Sequence, residues 1–288
     1  MHMKYSISDA IDLSHSNLNN FDYEVAETTE WLVLSNNNLR VVGNNVKNMK
    51  CLTRFALNDN KIENVSGNIG LLEELAWIDF TRNRLNKLPE QFANLQNLSG
   101  LGLSENEFTE FPEVIYKLKS LRKFGFFSNK ITMVDYRIAN LTNLVKMDLS
   151  NNNIKYLPKE IGLLTKLTWL NLSNNQLTEI PSTLNKLTAL EELGLGNNKI
   201  EILPDLSNLT NLRILPLFKN KIYRIDNNFS KNRNLEKLDL SDNKLKYFPM
   251  DTILCKKLKY LNLRNNRIEE IELECYEYYF NKYNNFIE

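Results

Sequence analysis

Residues 144 to 177, LVKMDLSNNNIKYLPKEIGLLTKLTWLNLSNNQL, hold two copies of one pattern. Its five fixed positions recur 23 residues apart, as Leu144, Met147, Leu149, Asn152 and Ile154, then Leu167, Leu170, Leu172, Asn175 and Leu177. The shared pattern is L-x-x-L-x-L-x-x-N-x-L. Self-similarity at a fixed period of this length is typical of architectures built by stacking one structural unit.

The Asn of this pattern marks the period along nearly the whole chain. Asn accounts for 44 of the 288 residues, and eleven of these are regularly spaced: Asn37, Asn60, Asn83, Asn106, Asn129, Asn152, Asn175, Asn198, Asn220, Asn243 and Asn266. Nine of the ten intervals are 23 residues and one is 22. A degenerate first copy, with Ser16 in place of Asn, brings the count to twelve units.

The spacing predicts a short strand followed by a tight turn. In x-L-x-L-x, a period of two sends the Leu side chains to one face of a strand and the x side chains to the other. The amide of the following Asn has both donors and acceptors for backbone groups of the turn and of the neighbouring copy. Because an unpaired buried group costs about 1–3 kcal/mol, we expect the eleven Asn side chains to form a ladder.

The second half of each unit predicts a turn and a short helix. Six of the seven Pro residues share one position of the repeat: Pro89, Pro112, Pro158, Pro181, Pro204 and Pro249. Pro fixes φ and lacks an N–H, which suits a turn. The apolar residues after it, three apart, suit a helical or 3-10 segment packed on the Leu layer. One copy alone cannot offset its backbone entropy, so the copies must stack continuously.

This pattern resembles the leucine-rich repeat family from about residue 8 to 271. The second half, Leu157-Pro158 followed by Ile161 and Leu164, is similar to the 23-residue intracellular, Ras-group type of that family. The resemblance implies an α/β solenoid, a horseshoe of about twelve repeats with a parallel β-sheet on the concave face and short helical or 3-10 segments on the convex face. It also implies partners such as small GTPases, kinases or phosphatases.

We predict a single domain over residues 1–288. Residues 1–28 form an N-terminal capping repeat, residues 29–271 the regular repeats, and residues 272–288 a C-terminal cap or a docking tail, since a terminal repeat must cover its apolar end. One residue is missing near Pro204, and the next strand contains Pro216, which lacks a hydrogen-bond donor. We therefore expect a local distortion there.

Composition excludes several classes of function. Lys plus Arg number 36 and Asp plus Glu 35, a net charge of +1, so the basic surface of a nucleic-acid binder is not expected. No apolar run has the length of a membrane span, and the start lacks the pattern of a secretory signal, so we expect a cytoplasmic protein without membrane association. Three Cys and two His predict neither a metal site nor a disulfide scaffold.

No residue pattern predicts catalysis. The sequence offers no nucleophile–base pair, and Gly100-x-Gly102 lies within a predicted strand and lacks the third Gly of a dinucleotide motif. We therefore predict a monomeric, non-catalytic chain without a cofactor. Cys255 falls on an apolar position of the repeat and Cys51 on a variable one, so a buried, inert thiol is expected for Cys255.

The strand positions that flank the Leu residues are not fixed by the repeat, and they form the candidate binding face. All three Trp residues occupy the position before the first strand Leu. The candidate protein-binding residues on this face are Trp31, Arg54, Trp77, Lys123, Phe127, Lys146, Trp169, Ile214, Phe218 and Tyr260. Aromatic anchors beside cations are typical of interaction hot spots, although scattered surface aromatics alone need no explanation.

Five of the nine Gly residues also fall on this face, at Gly100, Gly102, Gly125, Gly194 and Gly196. Gly weakens a strand, so we expect these positions to leave room for a partner to approach the backbone. The sequence thus predicts a protein-interaction module that binds a protein or peptide on its concave face. Two alternatives stay open: a bacterial effector acting on host proteins in the host cytosol, and a regulatory or targeting domain of a larger enzyme.

Overall fold

The computed structural model describes residues 10–21, 25–269 and 286–287, and the chain divides into two compact units, residues 1–130 and 131–288. Both units are built from one repeat, in which a three-residue strand is followed by a tight turn and, in most copies, by a 3-10 helix. The predicted α/β repeat fold, with a parallel sheet and short 3-10 segments, is confirmed. The prediction of a single domain with two caps stays a prediction, and Cys275 and Tyr278 of the C-terminal cap lie outside the described residues.

In the first unit the described strands of the main sheet run parallel: Ala10–Asp12, Trp31–Val33, Arg54–Ala56, Trp77–Asp79, Gly100–Gly102 and Lys123–Gly125. A second, two-stranded sheet pairs Val41–Val42 with Asn64–Val65. The 3-10 helices of this unit are Asn44–Asn48, Gly67–Leu71, Glu90–Asn94 and Glu113–Lys117. Every copy is in register with the next, so equivalent positions of the repeat form rows across the sheet.

The second unit repeats this arrangement. Its described main-sheet strands are Lys146–Asp148, Trp169–Asn171, Glu192–Gly194, Ile214–Pro216, Lys237–Asp239, Tyr260–Asn262 and Phe286–Ile287. A two-stranded sheet pairs Ile202–Leu203 with Arg224–Ile225. The 3-10 helices are Tyr136–Asn140, Lys159–Leu163, Ser182–Lys186, Phe229–Lys231 and Met250–Leu254.

The core lies between the main sheet and the 3-10 helices of each unit. In the first unit the central strand residues Phe55 and Ile78 have no solvent exposure, and Phe92 of a 3-10 helix is equally buried. Phe108 and Phe126 add a ring contact with centroids 5.2 Å apart. The side chains that point away from this core form what we call the sheet face of each unit.

The predicted Asn ladder is confirmed, and Asn83 illustrates its geometry. Its amide nitrogen donates to the carbonyl of Phe80, 2.9 Å away, and to that of Leu57 in the preceding repeat, also at 2.9 Å. Its side-chain oxygen accepts the N–H of Ile62 at 2.8 Å. One side chain therefore pairs backbone groups of two neighbouring repeats, which explains why this position is Asn in copy after copy.

The residue before each ladder Asn has a left-handed backbone conformation. The φ values lie between 52° and 57° at Asn36, Asp59, Arg82, Glu105, Ser128, Asn151, Asn174, Asn197, Lys219, Asp242 and Asn265. Asn and Asp adopt this region more readily than other residues with a side chain. Arg82, Glu105 and Lys219 do not share that preference, so the hydrogen bonds of the turn impose the conformation there.

The short copy is distorted on the side of the 3-10 helices, as expected near Pro204. Residues 204–210 form turns in place of a 3-10 helix. Asn227, from the next repeat, accepts the N–H of Leu206 at 2.8 Å. Asn232 donates to the carbonyls of Leu206 and Leu209, both at 3.1 Å. The Asn227 amide therefore replaces the bond that the N–H of Leu206 would have made in a regular helix. The Asn232 amide adds a second donor to two carbonyls that also accept backbone N–H groups.

The strand after the short copy remains in the sheet. Ile214–Pro216 runs parallel to Glu192–Gly194, with Glu192 beside Ile214. Pro216 has no N–H, but its carbonyl accepts the N–H of Leu195 at 3.0 Å. The missing residue therefore changes the helical side of the repeat while its strand still contributes to the sheet face.

Candidate protein-binding face

The candidate residues of the first unit lie mainly in one row of the sheet face. We call Trp31, Arg54, Trp77, Gly100 and Lys123 the tryptophan row, because these five residues are register partners on neighbouring strands. The exposed fraction is 42% for Trp31 and 36% for Trp77, and Arg54 and Lys123 are exposed as well. Large apolar side chains are thus presented to solvent on a rigid sheet.

Within this row Arg54 leans on its neighbour. The guanidinium carbon of Arg54 lies 5.7 Å from the centroid of the Trp31 ring, a distance at which a cation is attracted by the π-electrons of an indole. Among the described residues, the guanidinium N–H groups of Arg54 have no hydrogen-bond partner, so they can donate to another molecule.

The Trp77 side chain leans in the opposite direction, towards Gly100. The expectation that Gly100 leaves room for a partner is therefore wrong. A Cβ on Gly100 would lie 2.4 Å from Cδ1 of Trp77, so the indole occupies the space that the missing side chain leaves. Asp79 fills the equivalent space at Gly102, with its Oδ1 2.3 Å from the Cβ position. These glycines make room for side chains of the preceding strand, not for a partner.

The same correction applies to the glycines of the second unit. A Cβ on Gly194 would lie 2.4 Å from Oδ1 of Asn171. The ring of Phe218 covers Gly196, with its Cε1 2.5 Å from the Cβ position. Of the five glycines, Gly125 has the mildest restriction, with the Ser104 hydroxyl 3.1 Å from its Cβ position.

The central row of Asp and Asn residues has a structural role that the sequence analysis missed. Asp79 accepts the N–H of Thr81 at 2.8 Å, and Asp148 accepts both the N–H and the hydroxyl of Ser150. The bonds repeat at Asp239 and Ser241. The recurring D-x-S/T pattern was the available signal, because such side chains bond the backbone two residues on. These carboxylates end the strands and are already engaged.

Other charges of the first unit pair among themselves. The Arg82 guanidinium lies 2.8 Å from the Asp59 carboxylate and 3.1 Å from that of Glu105, and Arg84 lies 3.5 Å from Glu63. Partial burial alone would raise the pKa of Asp59, but hydrogen bonds from Arg82 and Asn58 outweigh it and hold the pKa below its usual value.

Arg54 and Lys123 differ from these paired cations. Among the residues that the structure describes, no carboxylate lies within 4.0 Å of either side chain. Phe127, two residues beyond the strand Lys123–Gly125, is half-buried, and its N–H donates to the Ser104 hydroxyl at 3.1 Å. Within the described part of the first unit, two indoles and two cations without an ion-pair partner therefore share one face.

The candidate residues of the second unit form a row of mixed character. Lys146 is exposed and lies beside Trp169, whose half-buried indole N–H donates to the carboxylate of Glu192 at 2.9 Å. Ile214 and Tyr260 are half-buried, and so is Phe218 over Gly196. Since Trp169 has an internal partner, it is less available to a ligand than the two Trp residues of the first unit.

A cleft on the flank of the second unit was not anticipated. It has a volume of about 210 Å³ and is lined in part by Tyr223, Arg224, Tyr247 and Asp251. Tyr223 and Tyr247 are more than half exposed. Burial raises the pKa of the Asp251 carboxyl even though it accepts the N–H of Phe229. The tyrosines lie outside the strands, where the repeat pattern gave no signal.

The remaining reactive side chains stand apart from one another. Cys51 is exposed, whereas Cys255 is buried, as predicted, and burial raises the pKa of its thiol to about 12. Within residues 10–21 and 25–269 no group of three or more His, Cys, Asp or Glu side chains has an arrangement that holds a metal ion. None of the helices in the described part of the chain is long and apolar enough to cross a membrane.

These features define a repeat-built protein with an exposed aromatic row on its sheet. Two family models match it, "Leucine-rich repeat region" at residues 121–232 and "Leucine Rich repeats (2 copies)" at residues 233–275, and together they cover more than half of the chain. The chain belongs to the leucine-rich repeat family. Neither model describes a catalytic family. No curated protein matches the chain.

Solved structures share the fold. An internalin from Listeria monocytogenes is 24% identical with a TM-score of 0.79, over 92% of this chain and 77% of that one. A leucine-rich repeat protein from Leptospira interrogans is 23% identical with a TM-score of 0.58, over 98% and 95%. The ectodomain of the plant membrane receptor kinase GASSHO1/SCHENGEN3 from Arabidopsis thaliana, in complex with CASPARIAN STRIP INTEGRITY FACTOR 2, is 25% identical with a TM-score of 0.71. That match covers 82% of this chain and 30% of the receptor chain.

Proposed function

We propose that this chain is a non-catalytic protein-interaction module that binds a protein or peptide on its sheet face, the predicted concave surface. The observation that carries the proposal is the tryptophan row, where Trp31 and Trp77 are exposed two repeats apart on one sheet. Trp is enriched among the residues that contribute most to protein binding. Removing an exposed indole from water also makes the free energy of binding more favourable.

The rigidity of the scaffold favours binding by few residues. Each ladder Asn connects two repeats through buried hydrogen bonds, so the sheet face is formed before a partner arrives. A surface that is already ordered loses little conformational entropy on association. A small number of aromatic anchors can therefore supply most of the affinity, with the surrounding polar residues providing complementarity.

Charge also supports a protein partner. The first unit alternates exposed indoles with cations, and the central Asp row interrupts any continuous basic surface. Nucleic acids are bound by unbroken basic surfaces that contact many phosphates. The plant receptor that shares this fold was solved with CASPARIAN STRIP INTEGRITY FACTOR 2, which supports, by analogy, a ligand bound to a leucine-rich repeat surface.

The second unit offers a further contact surface on the same side of its own sheet. Its members are Lys146, Trp169, Ile214, Phe218 and Tyr260. The resemblance to the intracellular, Ras-group type adds finer proposals: a monomer in the cytoplasm whose partner is a small GTPase, a kinase or a phosphatase. A bacterial effector would differ by its presence in the host cytosol, which fractionation of infected cells detects.

Affinity capture with matched variants tests the proposal. The sheet-face variant is Trp31→Ala with Trp77→Ala, and the control is Tyr223→Ala with Tyr247→Ala on the flank of the second unit. We expect the Trp variant to lose the partners that the unaltered chain captures and the Tyr variant to keep them. Capture that survives in the Trp variant and fails in the Tyr variant would move the binding site to the flank.

A further inference from the structure

Arg54 and Trp77 stand on adjacent strands and are register partners. Their side chains nevertheless lean towards opposite neighbours, Arg54 onto Trp31 and Trp77 onto Gly100. Adjacent strands are about 4.8 Å apart. Because the two side chains lean away from each other, the space above their strands lies between a guanidinium and an indole.

The guanidinium of Arg54 has donors available to bind an anion. The guanidinium carbon lies 5.7 Å from the centroid of the Trp31 ring, and a cation–π contact of this kind uses none of the N–H donors. No carboxylate among the described residues lies within 4.0 Å of it. Arg82 and Arg84 of the same unit, by contrast, are paired with carboxylates of neighbouring repeats.

The surroundings of Arg54 strengthen an ion pair made there. Two indoles flank the position, and Ala56, which follows on the same strand, adds only a methyl group and is buried. A bound peptide would cover these exposed side chains and exclude water, and a charge-assisted hydrogen bond is stronger where the local dielectric constant is low. A planar guanidinium matches a carboxylate through two parallel hydrogen bonds. An apolar side chain next to that carboxylate would cover Trp77.

We propose that Trp31, Arg54 and Trp77 form a subsite for an acidic peptide segment, in which a Glu or Asp carboxylate pairs with Arg54 and an adjacent apolar side chain packs on the Trp77 indole. The inference rests on the proposed function and names the chemistry of the partner. Exposed Lys123, two strands beyond Trp77, adds a second unpaired cation on the same row and favours the same sign of charge in the ligand.

Peptide titration of the full chain tests this subsite. The probes are three acetylated and amidated peptides that differ at one residue, Ala-Leu-Glu-Leu-Ala, its Gln counterpart and its phosphoserine counterpart. Binding is followed by the indole N–H resonances of Trp31 and Trp77, assigned from Trp→Phe variants. We expect the Glu peptide to bind roughly tenfold more tightly than the Gln peptide, as befits a hydrogen bond to a charged group.

Variants at Arg54 make the test specific. Arg54→Met should abolish the preference for Glu over Gln, and Arg54→Lys, which keeps the charge but loses the planar pair of donors, should lose most of it. Arg40→Met removes the same charge from an exposed position outside the sheet face and should leave the preference intact. An equal loss in Arg40→Met would overturn the proposal in favour of a general charge effect.

Two outcomes separate this inference from the proposed function. If the Glu and Gln peptides shift the two indole resonances equally, the sheet face binds peptides but the proposal of a carboxylate subsite is wrong. If neither peptide shifts them, the subsite is wrong, and capture by the Trp31→Ala, Trp77→Ala variant decides the function independently. Tighter binding of the phosphoserine peptide than of the Glu peptide by about tenfold or more would replace the acidic segment with a phosphorylated one, and so overturn the proposal.

Discussion

Cδ1 of Trp77 lies 2.4 Å from the position that a Cβ on Gly100 would occupy. The orientation of an exposed anchor on one strand thus depends on the absence of a side chain on the next strand. Rows of register-matched residues make this dependence possible, since the repeat places equivalent positions side by side. The sheet face is therefore an interlocked set of side chains.

Gly100→Ala should displace the Trp77 indole, because an added Cβ would overlap a ring atom close to the backbone. We expect a changed fluorescence spectrum and acrylamide quenching in a Trp31→Phe, Trp169→Phe background, where Trp77 is the one remaining Trp. Gly125→Ala is the control, since its Cβ would meet the Ser104 hydroxyl at a milder 3.1 Å. Identical spectra for Gly100→Ala and the parent would contradict this geometry.

Asn83→Ala should lower the free energy of unfolding by about 1–3 kcal/mol, because it leaves the buried N–H of Ile62 unpaired. The carbonyls of Phe80 and Leu57 each lose one donor and keep the amide of another ladder Asn. Asn97→Ala is a matched control, since the exposed Asn97 amide makes one hydrogen bond, to the carbonyl of Glu73. Urea denaturation followed by circular dichroism measures both variants. Equal losses in the two would argue against the ladder as a source of stability.

Asn232→Leu tests whether the buried Asn232 amide stabilises the short copy. Position 232 corresponds to a Leu position of the repeat, so the change moves the chain towards its own consensus. We still expect a loss of about 1–3 kcal/mol, because the buried amide of Asn227 loses its acceptor on Asn232. The carbonyls of Leu206 and Leu209 also lose one hydrogen bond each, although each keeps a backbone donor. Asn234→Ala, which removes one solvent-exposed hydrogen bond to the carbonyl of Thr210, should cost less. A gain of stability in Asn232→Leu, measured by thermal unfolding, would show that this amide is dispensable.

Thiol reactivity should separate the described cysteines. With a pKa of about 12, Cys255 is a thiolate in about one molecule in ten thousand at pH 8, and the thiolate is the reactive species. In a Cys275→Ser background we expect a disulfide reagent to label exposed Cys51 rapidly and Cys255 only after unfolding. The pKa lies above the ordinary value of 9.0, so labelling of Cys255 rises only at strongly alkaline pH. Fast labelling of two thiols at pH 8 would contradict its burial.

The sequence predicted the fold because the period assigns a role to most positions. Leu170 and Asn175 belong to a pattern that recurs too often to be ambiguous, and both are buried as expected. The sequence did not predict the positive φ of Arg82, Glu105 and Lys219, since these side chains do not favour that conformation. The sequence did not predict the hydrogen bonds of Asn232 either, because they depend on a residue that is missing one repeat earlier.

The sequence predicted which residues share a row of the candidate site but not how their side chains are arranged. The position of Trp31, Arg54 and Trp77 on one row followed from the alternation of the strand. The direction in which each side chain leans depends on its neighbours across the sheet, and those contacts are set by packing that no local pattern records. Gly100 was taken as an opening for a partner for this reason, whereas Trp77 fills the space.

Photo-cross-linking tests the central claim most directly. A photoreactive amino acid replaces Lys123, on the tryptophan row, or Lys87, an exposed residue of the same unit that lines a polar cleft outside the main sheet. The account predicts covalent capture of the partner from position 123 and little from position 87, with the yield at 123 lost in the Trp31→Ala, Trp77→Ala background. Capture from position 87 alone would contradict a binding site on the sheet face.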